Sequence, residues 1–185
     1  MESVSGPERL KKEVMDRDLC AGCGACVGLC PYIYAVNEKV AMIHPCGLEN
    51  GNCHQICPRL ELNPAEMDMQ VFNQPRTDHI LGENKGIYFA RALDKEISAH
   101  GQYGGVVSAL CSYLLTNKQV NAAVLTKANG KEVPDPVLAL TPEEVIQCAG
   151  SKYSACPTLA KVSEGLKAGY KNLCVVGRPC QITAF

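Results

Sequence analysis

The second half of the chain alternates between strand-like and helix-like apolar segments, a pattern typical of α/β architecture. The segments with strand character are 87–93, 120–126, 137–140 and 173–176, and those with helical spacing are 106–116, 158–167 and, as a first turn only, 181–185. Because the chain stops one turn into a helix that should cover the sheet, we expect the α/β part to be incomplete.

Two helix starts carry specific end signals. Thr141-Pro142-Glu143-Glu144 predicts a helix with Thr141 as its cap and Glu144 completing a capping box, ending near Gly150. Earlier in the chain, Asn63-Pro64 predicts a short helix through Phe72, closed by the following Gln-Pro pair. This short helix belongs to a connection, and a boundary is expected near residues 82–86.

Composition and charge exclude some classes of function. The net charge is -1, so the chain has no basic field for a phosphate backbone, and with 5% aromatic residues and no Trp it has few rings for base stacking. The N-terminal residues are charged where a signal peptide needs an apolar core, and the apolar run 106–115 is too short to span a bilayer. We expect a cytoplasmic protein without membrane insertion that binds small molecules and protein partners rather than nucleic acid.

Cysteine is concentrated in the first part of the chain. Of 12 cysteines, seven lie between residues 20 and 57 at metal-ligand spacing, and a cytosolic compartment keeps thiols reduced, so disulfides are not expected. Residues 1–58 are otherwise short of apolar periodicity. We expect bound metal, more than an apolar core, to order this region.

The run Cys20-Ala-Gly-Cys23-Gly-Ala-Cys26-Val-Gly-Leu-Cys30-Pro31 is the bacterial ferredoxin pattern of [4Fe–4S] ligation, in which the fourth cysteine binds a second cluster. A zinc site needs two separated cysteine pairs and a redox dithiol needs one pair, so neither explains three evenly spaced thiols before Cys30-Pro31. The sequence therefore predicts iron–sulfur clusters.

A second run, from Cys46 to Cys57-Pro58, keeps the terminal Cys-x3-Cys-Pro but lacks one ligand. Two-fold ferredoxin logic assigns Cys20, Cys23, Cys26 and Cys57 to cluster one, and Cys30, Cys46 and Cys53 to cluster two. Cluster two is then a [3Fe–4S] cluster, a [4Fe–4S] cube with a non-standard fourth ligand, or absent. Glu49, Cys156 and the histidines His44 and His54 are the fourth-ligand candidates, although a histidine beside a cluster more often donates a hydrogen bond or faces water.

The predicted fold class is α+β, with two domains. Residues 1–83 form a bacterial-ferredoxin-like iron–sulfur domain plus its connection, and residues 84–185 form a partial α/β domain. Within the latter, Gly101-Gln102-Tyr103-Gly104-Gly105 precedes a helix start, where free N–H groups can receive an anionic or carbonyl group. This is not a GxGxxG fingerprint, and no nicotinamide site is predicted from it.

Four segments occur in a characteristic order: GQYGGVVSAL, PDPVLALTPEEV, AGSKYSACP and VVGRPCQI. Together they resemble the family of coenzyme F420 hydrogenase/dehydrogenase β-subunits, and with the cysteine runs the resemblance covers residues 19–185. Arg178 departs from it, since a small residue is expected before Pro179-Cys180. The resemblance implies that FAD binds in the second domain, passes electrons to and from the clusters, and exchanges a hydride with coenzyme F420 or a related acceptor.

The resemblance also implies site residues and partners. The candidates to bind FAD are Gly101, Gln102, Gly104, Gly105, Ser151, Lys152, Tyr153, Pro179 and Cys180. Lys152 is placed to stabilise the negative charge of reduced flavin. The expected partners are the other subunits of a hydrogenase, a formate dehydrogenase or a similar redox complex.

Two other functions stay open. The chain is alternatively an electron-transfer module without a substrate site, or a flavin reductase acting on another substrate, such as a chlorophyll-type pigment. Cys111, Cys148 and Cys174, and Cys180 as an alternative to its flavin role, are expected to be small apolar residues of the core.

Overall fold

The computed structural model describes residues 5–60 and 62–185. The chain begins with α1 (Gly6–Arg9), which continues as a stretch of π-helix over Leu10–Met15. Ser5 caps α1, since its Oγ accepts a hydrogen bond from the Glu8 N–H at 3.3 Å. Leu10 and Val14 are buried on one face of this helical stretch. The sequence pattern did not predict this stretch.

An antiparallel hairpin covers that helical face. Strands β1 (Ile33–Val36) and β2 (Lys39–Met42) pair with Ile33 opposite Met42. The turn between them places Asn37 at φ 54°, a left-handed conformation that asparagine tolerates. Ile33 and Val40 pack with Leu10 and Val14 into a small core that also contains Cys26 and Cys53. The cysteine-rich region therefore has an apolar core of its own, which the weak periodicity did not predict.

Two short helices follow. Helix α2 (Asn52–Gln55) carries Cys53, and α3 (Pro64–Phe72) lies in the connection. The predicted bounds of α3 are confirmed: the Asn63 side chain accepts a hydrogen bond from the Glu66 N–H, and the helix ends on Asn73 in a left-handed conformation.

The second half is built on a three-stranded mixed sheet with strand order β4-β3-β5. Strand β3 (Ala122–Lys127) pairs antiparallel with β4 (Asp135–Ala139) and parallel with β5 (Leu173–Val175). The central strand is the most buried part of the chain, with Ala122, Ala123 and Val124 at 0% exposure. The predicted mixture of helices and strands is confirmed.

Helices surround this sheet. They are α4 (Lys95–His100), α5 (Val106–Thr116), α6 (Pro142–Gln147), α7 (Ala160–Lys167) and α8 (Pro179–Thr183). The predicted cap of α6 is confirmed, since the Thr141 Oγ1 accepts from the Glu144 N–H. The Glu144 carboxylate reaches one residue further back than predicted and accepts from the Leu140 N–H at 2.6 Å. In residues 5–60 and 62–185, no helix is long and apolar enough to cross a membrane.

The strand predicted over residues 87–93 is wrong. This segment has no strand structure, and Tyr88, Phe89 and Leu93 are almost fully exposed. One backbone hydrogen bond anchors it, from the Ala92 N–H to the Gly104 carbonyl at 2.7 Å. A segment rich in β-forming residues becomes a strand only where a partner strand supplies the ladder, and none of the described strands pairs with this one.

The two halves are in direct backbone contact. The Leu159 N–H donates to the Cys23 carbonyl at 3.1 Å, and Leu159 packs with Cys23, Ala25 and Ala184 in a shared apolar cluster. Gly24 lies so close to residue 157 that a Cβ on it would sit 2.5 Å from the Pro157 carbonyl oxygen. The first cysteine loop is thus shaped to fit the second half.

We predict that Gly24→Ala loosens this contact. Gly24 has φ +82°, so alanine costs about 1–2 kcal/mol for backbone conformation alone. The overlap with Pro157 adds about 1–3 kcal/mol. Gly130→Ala is the matched control, because Gly130 has φ +75° and nothing within 4 Å of an added Cβ. Thermal unfolding checks the difference, and equal losses in the two variants would contradict the proposed fit.

Candidate functional site

Four cysteines surround one small cavity in the first half of the chain. Its walls are formed by the thiol-bearing loop, the first helical stretch, β2 and the segment after α2. The four cysteines are Cys20, Cys23, Cys26 and Cys57. The same four were assigned to cluster one from their spacing, and the structure brings them together. Their ligand role stays a prediction.

Cys23 and Cys26 are buried, and Cys20 and Cys57 are partly buried. Burial raises the pKa of Cys26, and the neighbouring Cys23, Cys20 and Cys57 raise it further. Burial likewise raises the pKa of Cys23 and Cys57. A group of buried thiolates needs positive charge to offset its mutual repulsion, and iron supplies it when a cluster binds. The donor set fits a [4Fe–4S] cluster, which takes four thiolates.

Three other cysteines form a second group. Burial raises the pKa of Cys53, and the nearby Cys30 and Cys46 raise it further. Among the fourth-ligand candidates, Cys156 lies elsewhere: it is buried in the second half, where its Sγ donates to the Pro134 carbonyl at 3.3 Å.

The histidines near the second group are engaged within the protein. His44 packs edge-on against the Tyr32 ring, with ring centroids 5.7 Å apart. The His54 Nδ1 accepts a hydrogen bond from the Gly51 N–H at 3.4 Å. Within the described part of the chain, no three His, Cys, Asp or Glu side chains converge on a site for a single metal ion. The prediction concerns multi-iron clusters, so that observation bears only on mononuclear sites.

A much larger cavity lies in the second half, with a volume of about 490 Å³. This is within the range of about 300–1,000 Å³ typical of small-molecule sites. Buried Cys111, Leu125 and Val145 supply apolar walls, and Thr126 and Thr158 bond each other through their hydroxyls at 2.8 Å on its lining. The cavity therefore combines apolar surface with a few placed polar groups.

Two segments predicted from the resemblance meet at this cavity. The residues of these segments that line it are Gly101, Gln102, Gly104, Gly105, Ser151 and Lys152. Tyr153 joins them through its hydroxyl, which accepts a hydrogen bond from the Gln102 side-chain amide at 2.6 Å. The structure thus places side by side two loops that are about fifty residues apart in the chain.

The start of α5 opens into the cavity. Gly105 precedes the helix at φ +66° without a side-chain cap, and Val106, Val107 and Ser108 of the first turn line the cavity. First-turn N–H groups have no partner inside a helix, so this end can receive an anionic group. The glycines also have a packing role, because a Cβ on Gly101 would lie 2.8 Å from the Gly105 Cα.

Lys152 lies on the lining but is already engaged. Its Nζ donates to the carbonyls of Cys148, Ala149 and Gly150 at the end of α6, which uses all three ammonium donors. Burial lowers the pKa of Lys152. In this conformation the side chain holds the α6 end against the cavity loop, and contact with a flavin would require it to exchange a partner.

Pro179 and Cys180 are not among the cavity-lining residues, although both were predicted to bind FAD. Their neighbours Gly177, Arg178 and Gln181 line it instead. Cys180 lies close enough to Cys23 to contribute to the raised pKa of that thiol, whose main cause is burial. The VVGRPCQI segment therefore reaches the cavity, and its turn decides which of its residues line it.

Thr126 and Thr158 carried no recognisable sequence signal as cavity residues.

Cys111 and Cys174 pack in the core around β3, with their Sγ atoms 3.7 Å apart. Burial, with a contribution from Cys174, raises the pKa of Cys111 to about 12. The Cys111 thiol therefore stays protonated, and the packing of both residues in the core agrees with the expectation that they act as small apolar residues.

Two groups of thiols and a ligand-sized cavity in one chain are typical of redox proteins that carry more than one cofactor. Residues 87–163 match the family model described as coenzyme F420 hydrogenase/dehydrogenase, beta subunit N-term. The chain belongs to this family of coenzyme F420 hydrogenase/dehydrogenase β-subunits. The resemblance inferred from its motifs is confirmed.

Three relatives illustrate the similarity. A coenzyme F420-dependent sulfite reductase of Methanocaldococcus jannaschii is 30% identical, over 92% of this chain and 25% of its own length. A subunit of the F(420)H(2) dehydrogenase of Methanosarcina mazei is 32% identical, over 93% of this chain and 49% of its own. The coenzyme F420 hydrogenase subunit beta of Methanothermobacter thermautotrophicus is 35% identical, over 55% of this chain and 37% of its own length. The chain thus spans between a quarter and a half of these relatives.

We predict that removing iron unfolds the first half selectively. Anaerobic chelation should make residues 5–60 protease-sensitive, because the chain loses the cluster that would join the 20–26 loop to Cys57 after α2. The sheet around β3 should stay protected, because its core contains none of the seven cluster cysteines. Limited proteolysis with mass spectrometry checks this, and unchanged resistance of residues 5–60 would contradict it.

We predict two different clusters, with a matched pair of variants to separate them. Cys26→Ser should abolish the signal of a four-thiolate cluster, whereas Cys46→Ser should abolish only that of the three-thiolate cluster. Iron analysis and electron paramagnetic resonance provide the readout, because a [3Fe–4S] cluster is paramagnetic in the oxidised protein whereas a [4Fe–4S] cluster becomes paramagnetic on reduction. An iron content of only four per chain, without a [3Fe–4S] signal, would rule out the second cluster.

Proposed function

We propose that this chain is the electron-transferring part of an F420-linked oxidoreductase subunit. In this proposal Cys20, Cys23, Cys26 and Cys57 hold a [4Fe–4S] cluster, and the cavity between the 101–105 and 150–153 loops holds FAD. The partners are the other subunits of a hydrogenase, formate dehydrogenase or similar redox complex, with coenzyme F420 or a related acceptor as the substrate. The names of the relatives, which refer to F420-linked enzymes, support this assignment.

One observation carries the proposal: the cysteine loop and the cavity share a wall. Residues 177–181 contribute Gly177, Arg178 and Gln181 to the cavity. The same segment reaches the cysteine loop, because the Arg178 Nη2 donates to the Ala21 carbonyl at 2.8 Å. Two redox groups on either side of one short segment are close neighbours, which electron transfer requires.

The chain's residues fit FAD in three ways. The first turn of α5 offers N–H groups suited to a diphosphate. The apolar wall of Leu125, Val145 and Cys111 suits a flat ring system, and Thr126, Thr158 and Gln181 supply polar contacts. FAD supplies both one-electron and two-electron chemistry when bound, and so can link clusters to a hydride carrier.

The competing interpretation is an electron-transfer module without a small-molecule site. The ligand-sized cavity at the predicted loops favours the flavin proposal over it. Titration of the anaerobically reconstituted chain with FAD, followed by flavin fluorescence, tests the choice. Saturable quenching supports the proposal. Its absence at FAD concentrations well above the dissociation constants of typical flavoproteins would overturn the proposal.

A matched pair on α5 locates the binding site. Val107 and Leu110 are similarly exposed, at 54% and 57%, but only Val107 lines the cavity. Val107→Trp should weaken FAD binding at least about tenfold, because the indole occupies cavity space, and tenfold corresponds to about 1.4 kcal/mol. Leu110→Trp should leave the affinity unchanged. Equal effects of the two substitutions on the fluorescence titration would place the flavin elsewhere.

A further inference from the structure

Arg178 stands at the junction of the two proposed redox sites. Its Nη2 donates to the carbonyl of Ala21, which lies between the cluster-one ligands Cys20 and Cys23. The same residue lines the large cavity. Among the residues that the structure describes, the Ala21 carbonyl is the one hydrogen-bond acceptor of the guanidinium. Arginine has five N–H donors, so four remain for a ligand in the cavity.

The backbone of Arg178 is held in place from the interior. Its N–H donates to the Gln181 Oε1 at 2.8 Å, and the Gln181 Nε2 donates to the Cys156 carbonyl at 3.0 Å. Gln181 is 3% exposed, so this relay is shielded from water. Gly177 permits it, because a Cβ there would lie 2.8 Å from the Gln181 Cβ. The guanidinium is thus attached to a fixed point between loop and cavity.

The positive charge of Arg178 acts on a cavity-lining residue as well as on the cysteine loop. Burial raises the pKa of the cavity-lining Cys156, and the Arg178 charge opposes that rise. No described salt bridge involves Arg178, so a carboxylate of the protein does not cancel its charge. Arginine stays charged at every physiological pH.

We propose that Arg178 is a positioning residue that raises the reduction potentials of both cluster one and the cofactor in the cavity. This inference rests on the proposed function. Reduction adds negative charge to the cluster and to a flavin, and a fixed cation between them stabilises both reduced states. Arg178 therefore links the two electron-accepting groups by one charge. Because its side chain is exposed, the effect on each equilibrium is modest.

The test measures both potentials in one anaerobic redox titration of the FAD-loaded chain, with the cluster followed by electron paramagnetic resonance and the flavin by its absorption. In Arg178→Gln, which keeps a donor for the Ala21 carbonyl but loses the charge, both equilibria should shift toward the oxidised form by about twofold to fivefold, the scale of an exposed charge. Arg178→Lys should restore most of both shifts.

Lys167→Gln is the matched control. The Lys167 Nζ donates to the Gly28 carbonyl of the same cysteine run at 2.8 Å, but Lys167 does not line the cavity. Its removal should leave the flavin equilibrium unchanged. Wild-type potentials in Arg178→Gln would overturn the inference and reduce Arg178 to a hydrogen-bonding role. A shift of the cluster alone in Arg178→Gln would overturn the link to the cavity.

The failure of the proposed function has a separate signature. If the wild-type chain holds cluster one but no flavin, the proposed function and the cavity half of the inference both fall. The cluster half is still decided by comparing Arg178→Gln with the wild type. If flavin binds and its potential is the same in both proteins, the inference fails while the proposed function stands.

Discussion

The contact between the first cysteine loop and the second half of the chain is the constraint on which the rest of the site depends. The Cys23 carbonyl accepts from the Leu159 N–H, Gly24 lies against Pro157, and the Ala21 carbonyl accepts from Arg178. Each contact uses backbone atoms of the loop. A loop held by its backbone leaves its side chains free to serve as ligands. The thiols can therefore point to one side of the loop while the backbone on its other side contacts the second half of the chain.

That constraint also explains the placement of glycine in the cysteine run. Ferredoxin-type runs use glycine so that the backbone can pass close to a cluster. Here Gly24 has an additional reason, because the backbone of Pro157 occupies the space of a Cβ. Glycine at this position therefore serves the packing between the two halves as well as the ligation predicted for the loop.

The cavity is lined by several loops, and a different polar contact holds each of them in place. Lys152 holds the end of α6, Gln102 bonds Tyr153, and Gln181 fixes the segment that faces the cysteine loop. The last two of these polar contacts join residues far apart in sequence. They make the proposed flavin site a product of the sheet and its three loop connections, whereas Lys152 is committed to a structural role in this conformation.

The sequence by itself determined the two capped helices α3 and α6 and the grouping of four thiols. The Asn63 and Thr141 caps predicted α3 and α6, because a cap acts within one helical turn, and regular cysteine spacing predicted which four thiols meet at one cavity. Only the tertiary structure decided that residues 87–93 form no strand and that Arg178, not Cys180, lines the cavity. A strand needs a partner, and a side chain's environment depends on what packs around its turn; both are set by residues distant in sequence.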